Sequence, residues 1–172
     1  MHHLIFQMLL CVKQIELRKL HGEKMEENKI AIVKSLLYDC TNDEVKERIS
    51  QTDDPEVLYV YMYNYNWDNG FEIPQSVLDS SGCNLSIALL IFFRADGFSY
   101  LFDKSFNENL PQWSSFIKKL HARILGGRYQ NAKIEFKVPL TKVQIFKLKK
   151  MLTEQEEIFI KNIEGKNLDI DI

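Results

Sequence analysis

The densest group of chemically versatile side chains in the sequence is the run Tyr63-Asn64-Tyr65-Asn66-Trp67-Asp68-Asn69-Gly70-Phe71. It sets a carboxylate and three amides beside four aromatic rings. General acid–base catalysis needs a second carboxylate at a defined spacing or a neighbouring base, and Asp68 has neither. No catalytic residue is therefore assigned. Two readings of the run remain. In the structural one, Gly70 supplies a positive φ, Asn66 or Asp68 caps backbone amides, and Trp67 and Phe71 pin the loop to the core. In the functional one, Tyr63, Tyr65, Asn66, Trp67, Asp68 and Asn69 form a protein-contact surface, because aromatic rings bring area at low entropic cost. Glu56 and Glu72 would then steer a cationic partner.

Other chemistry finds little support. The histidines are His2, His3, His21 and His121, and no pair has metal-ligand spacing. Gly126-Gly127 lacks the Lys-Ser/Thr that follows a phosphate-cradling loop, and it reads as a helix stop. Ser80, Ser81, Ser114 and Ser115 lack a nucleophile-elbow context. Cys11, Cys40 and Cys83 are widely spaced and odd in number. They make neither a zinc motif nor a disulfide framework, and they favour a reducing cytoplasm. No metal and no cofactor is expected.

Charge is more informative. The net charge of −2 hides two opposed blocks. Residues 39–110 carry 13 acidic and four basic residues, net −9, and contain the aromatic–amide run. Residues 111–151 carry ten basic residues and one acidic, net +9. Three readings compete. The blocks neutralise each other locally; or the acidic surface binds a cationic protein; or the basic segment, through Lys118, Lys119, Arg123, Arg128 and Lys133, binds nucleic acid with steep salt dependence.

The elements that must position these groups are helical. Ile30, Val33, Leu37 and Cys40 give one apolar face. Thr41 and Glu44 form a capping-box pattern ahead of Val45 and Ile49. Asp54-Pro55 starts a helix carrying Val57, Leu58, Tyr61, Met62 and Tyr65. Pro74 opens a short helix with Val77 and Leu78. Asn84 caps Leu85 to Ala95, apolar on nearly every side and so the central buried helix, with a buried strand as its rival. Asp96-Gly97 reads as a stop. Pro111 starts an amphipathic helix with Trp113, Phe116, Ile117, Leu120 and Ile124 inward and His121 partly exposed beside them. Ile134, Phe136 and Val138 alternate like a short strand or an extended connector. Thr141 caps a last helix through about Leu152. The tail from Ile158 to Ile172 reads as a small hairpin or as a frayed helix plus tail.

Residues 58–101 resemble the bacterial domain-of-unknown-function family 4274. The shared pattern is an apolar helix, Tyr65-Asn66-Trp67-Asp68-Asn69-Gly70-Phe71, Pro74 with its short helix, then Cys83-Asn84-Leu85, Ala88 to Phe92 and Ala95-Asp96-Gly97. Ile124 through Lys150 looks like the extension of longer members. The family more often has a second Asp where this chain has Asn69. The resemblance implies a bacterial, all-helical protein with no assigned activity. Members that sit near secreted toxin genes bring an immunity role into view.

At 172 residues, 45% hydrophobic and 27% charged, the chain has the make-up of one ordinary globular domain. The longest apolar stretch is about half the ~20 residues of a membrane-spanning helix. Gly22-Glu23-Lys24-Met25 looks like a translated ribosome-binding sequence before a start codon. Residues 1–24 are therefore expected to be a doubtful extension ahead of Met25. The competing reading is an N-terminal helix with Leu4, Leu9, Val12 and Leu20 on one face. The expectation is a mainly α, compact stack of short helices, HEAT-like or of helical hairpins, over residues 25–152, with an acidic tail or hairpin over 153–172. Functionally it is a cytoplasmic, non-enzymatic protein-binding module, specifically an immunity-type inhibitor of a bacterial toxin. The alternatives are a nucleic-acid-associated protein using residues 111–151 or an enzyme of unrecognised type.

Overall fold

A computed structural model describes residues 24–105, 107–130 and 133–172. The expectations for residues 1–24 fall, except at Lys24, outside that range. The helices behind Thr41, Asp54, Asn84 and Thr141 start where those caps say they should. α1 spans Glu27–Tyr38. α2 spans Asn42–Ser50 behind a complete capping box, in which the Glu44 carboxylate accepts the Thr41 amide at 2.7 Å. α3, Pro55–Asn64, begins with Asp54 accepting the Glu56 amide at 2.9 Å and Pro55 at the first position. α4 is Glu72–Asp79 and α5 is Leu85–Arg94, capped by Asn84. α6 is Gly97–Phe102, α7 is Pro111–Leu125, and α8 is Lys142–Leu148 behind a second capping box of Thr141 and Gln144.

These helices form the expected mainly α stack. α1 packs on α3, α3 on α5 and α5 on α7, while α2 packs on α4. Alternate helices thus lie side by side, as they do in stacked helical hairpins. α5 is the centre and touches α3, α4, α6 and α7. Every residue from Leu85 to Phe92 is buried. Each fully buried Ile, Leu or Phe there contributes about 2 kcal/mol of apolar transfer. The buried Ser86 hydroxyl is satisfied by the Ile134 carbonyl at 2.8 Å.

Three local expectations are corrected. Pro74 does not open α4, which begins two residues earlier at Glu72. Asp96-Gly97 stops α5, which ends at Arg94, as expected. Asp96 takes a left-handed conformation (φ 57°) and the chain restarts as α6. Gly97 is needed there, because a Cβ would lie 2.4 Å from the Phe92 ring. The helix after Thr141 is shorter than expected. It ends at Leu148 and tightens into turns through Leu152. Among the described residues the tail makes no bridge to itself. A 3₁₀ turn, Gln155–Ile160, buries Phe159 and Ile160 in the core. Ile163 and Lys166 then make isolated bridges to Phe136 and Ile134. The alternating segment at 134–136 is thus the tail's partner. Among the described residues no helix is long and apolar enough to cross a membrane.

Candidate functional site

The loop between α3 and α4 is built from its own side chains. The Asn66 side chain accepts the Asp68 amide at 3.1 Å, and the Asn69 and Gly70 amides donate to the Asn66 and Trp67 carbonyls. A 3₁₀ turn, Trp67–Asn69, results. Gly70 closes it at φ 80°, a conformation that costs a glycine little. Below the turn, the Tyr65 hydroxyl donates to the Gly70 carbonyl at 3.0 Å. Phe71 stacks on Phe116 of α7, with ring centroids 4.6 Å apart. Asn66, Asp68 and Asn69 are left exposed on this pedestal.

The aromatic candidates are not equivalent to these polar ones. Tyr65 is 6% exposed, so its expected place on the surface is corrected. It stands one helical turn after Tyr61 and inherits the buried face of α3, and burial pushes its phenol up to about 12. Trp67 is half-buried, edge-on to Tyr65 at 5.4 Å, and its Nε1 has no acceptor among the described residues. Tyr63 is half-buried beneath Arg94, whose guanidinium carbon is 4.3 Å from the ring centroid.

The two steering candidates separate. Glu72 opens α4 just beyond the loop and pairs with Lys46 of α2. Hydrogen bonding to that ammonium lowers its carboxyl pKa. Lys46 also lies 3.6 Å from Asp43, so the exposed start of α2 sits beside the loop. Glu56 is in the first turn of α3, at the other end of that helix from the loop. It is held by Lys29 at 3.0 Å and Lys166 at 2.7 Å. Burial pushes its carboxyl up, but hydrogen bonds from these lysines outweigh burial and lower it. Glu56 is a strut between α1, α3 and the tail and does not join the loop surface.

The basic candidates divide as well. Lys118 and Lys119 are exposed on α7. Arg123 bonds the Asp79 carboxylate, and Arg128 lies 3.8 Å from the same carboxylate. The acidic and basic blocks thus neutralise each other locally at Asp79. Lys133 and Arg128 line a cleft of about 1070 Å³ together with Glu56, Asp54 and Lys166. No group of three or more His, Cys, Asp or Glu able to hold a metal occurs among the described residues.

One polar cluster escaped the sequence reading. His121 is 8% exposed and so buried rather than partly exposed as expected, because the tail covers it. Its ring stacks on Phe159 at 4.9 Å, with Tyr100 edge-on. Nε2 lies 3.0 Å from a Glu156 carboxylate oxygen. Glu156 also accepts the Lys104 ammonium and the amide and hydroxyl of Thr153. Burial pushes the Glu156 carboxyl up, but hydrogen bonds from Lys104 and Thr153 outweigh burial and hold it at about 2. It is therefore ionised and can only accept, so His121 Nε2–H is the donor. Burial dominates for His121 and lowers its pKa despite the carboxylate. A His–Glu pair could serve acid–base chemistry. Here both members are buried, the imidazole among aromatic rings, and they act as a bolt between tail and α7. The legible signal was Thr153-x-x-Glu156, the same capping spacing as Thr41-x-x-Glu44.

Fold and site together define a helical-hairpin stack that presents a rigid polar loop. Residues 53–125 match the model of the family described as Domain of unknown function (DUF4274). The match runs from the cap of α3 to the end of α7, so it contains the loop, its pedestal and the central helix. It extends the resemblance carried by residues 58–101. No curated protein and no solved structure matches the chain.

Proposed function

We propose that the chain is a protein-binding module whose contact surface is the α3–α4 loop with its flanking carboxylates. The observation that carries this reading is the loop's construction. Asn66, Asp68 and Asn69 are exposed, while the backbone beneath them is fixed by the Tyr65–Gly70 bond and the Phe71–Phe116 stack. A surface ordered in advance loses little entropy on binding. Asp68, Asp43 and Glu72 give it an acidic cast suited to a cationic partner, which such charges would attract and orient. In its finer form the module is an immunity-type inhibitor that covers a toxin in the bacterial cytoplasm. The free thiols of Cys40 and Cys83 suit that compartment. Nucleic-acid binding through residues 111–151 is the weaker reading, because Arg123 and Arg128 are engaged with Asp79.

The test is co-expression with the product of the neighbouring gene. The expected result is co-purification at low salt and protection of growth, both lost in Asp68→Lys. Retention of no partner, or full protection by Asp68→Lys, would refute the reading.

A further inference from the structure

A second cleft, of about 550 Å³, lies among α3, α5, the 135–140 segment and residues 167–170 of the tail. Of the binding candidates named from the sequence, Tyr63 alone lines it. Its volume falls within the range of about 300–1,000 Å³ typical of small-molecule sites. Five of its lining residues are aromatic: Tyr59, Tyr63, Phe93, Phe98 and Phe136. The rings of Phe93 and Phe136 stack on each other, with centroids 6.0 Å apart and planes inclined by 27°, and form part of an aromatic wall.

The polar part of the cleft is small and unbalanced. Glu135 and Lys137 pair at 3.2 Å and cancel. Arg94 is the remaining charge. Its guanidinium lies over the Tyr63 ring and has no carboxylate partner among the described residues. Without such a partner, the guanidinium keeps N–H donors for an acceptor. A planar guanidinium held in this way favours bidentate carboxylates over point anions.

We propose that this cleft is a binding site for a small aromatic carboxylate, with the ring against the aromatic wall and the carboxylate on Arg94. Aromatic faces favour a ring over a flexible chain, because offset and edge contacts add to simple area burial. The net positive charge of the rim selects an acid over its neutral counterpart. The site is independent of the α3–α4 loop, so a protein partner there is neither required nor excluded.

Calorimetry on the full chain, with 2-naphthoate as the probe and 2-naphthamide as its neutral isostere, tests the proposal. The acid should bind at least about tenfold more tightly than the amide, the discrimination of one charge-assisted hydrogen-bonded pair. Arg94→Met should abolish that preference and leave the amide affinity unchanged. Arg94 is exposed at the end of α5, so the variant should keep the wild-type melting curve within a few degrees. Leu140→Trp, which fills the cleft, should abolish binding of both. Three outcomes would overturn the proposal: no 2-naphthoate binding at about 1 mM, where only a weak interaction of about 4 kcal/mol would be missed; equal affinity for acid and amide in the wild type; or an undiminished acid preference in Arg94→Met.

Discussion

Glu156 and Asp68 are both carboxylates in short 3₁₀ turns flanked by aromatic rings, and their surroundings give them opposite roles. Glu156 is 3% exposed and accepts from Lys104, His121 and Thr153. Asp68 is exposed and forms no ion pair among the described residues. In the first turn the protein surrounds the charge; in the second it surrounds the backbone beneath the charge. A buried carboxylate satisfied on all sides joins elements and offers nothing to a partner. An exposed one on a fixed backbone holds nothing together and is free to meet one. Mutation should therefore separate stability from binding.

The largest stability effect is expected at the bolt. Glu156→Ala removes the acceptor shared by Thr153, His121 and Lys104, and it should cost about 3 kcal/mol in urea unfolding, as breaking a buried ion pair does. The acid limb sharpens this. The folded Glu156 carboxyl is held at about 2, below its ordinary 4.5, so its contribution is complete above 4.5 and is lost as pH falls towards 2. His121 is also lowered, from 6.5, so the unfolded chain takes up its proton first and stability again falls on acidification. Glu156→Gln should flatten the loss below pH 4.5 relative to the wild type. An unchanged acid profile would remove Glu156 from this role.

Intermediate effects belong to the loop's pedestal. Gly70→Ala places a Cβ in open space but keeps φ at 80° and ψ at −159°, a region essentially reserved for glycine, so the cost is backbone strain alone, about 2 kcal/mol. Tyr65→Phe deletes the bond to the Gly70 carbonyl and should cost about 1 kcal/mol. Both should also weaken partner binding by loosening the loop. The smallest effect on stability is expected from Asp68→Lys, within about 0.5 kcal/mol. A loss of more than that would mean Asp68 supports the fold.

Local patterns carried most of the fold. Thr41 with Glu44, Asp54 with Pro55, and Asn84 each act within one helical turn, and each caps the helix expected of it. The misreadings occurred where a distant element decides the outcome. His121 lies at the edge of the α7 stripe, four residues after Ile117. Phe159, 38 residues further on, turns that edge into interior. Asp96-Gly97 does stop α5 by local chemistry, but the restart as α6, with the Phe92 ring packed against Gly97, has no local signal. At the site, Asn66 and Gly70 were legible because turn chemistry is local. Tyr65 was misplaced because helical spacing from Tyr61 argued for burial while the polar neighbours argued for exposure, and the helical face prevailed. Charge blocks along the chain did not reveal that Arg123 and Arg128 converge on Asp79, since ion pairing across about 45 residues depends on the fold.

The central claim is that the exposed face of the α3–α4 loop is where a protein partner docks. The most direct measurement is the affinity of the neighbouring gene's product for three versions of the chain at low salt: wild type, Asp68→Lys, and Lys118→Glu/Lys119→Glu on α7. The account predicts at least about tenfold weaker binding for Asp68→Lys, with unchanged melting, and wild-type affinity for the α7 variant. Full affinity in Asp68→Lys together with loss in the α7 variant would contradict it and move the contact surface to the basic half.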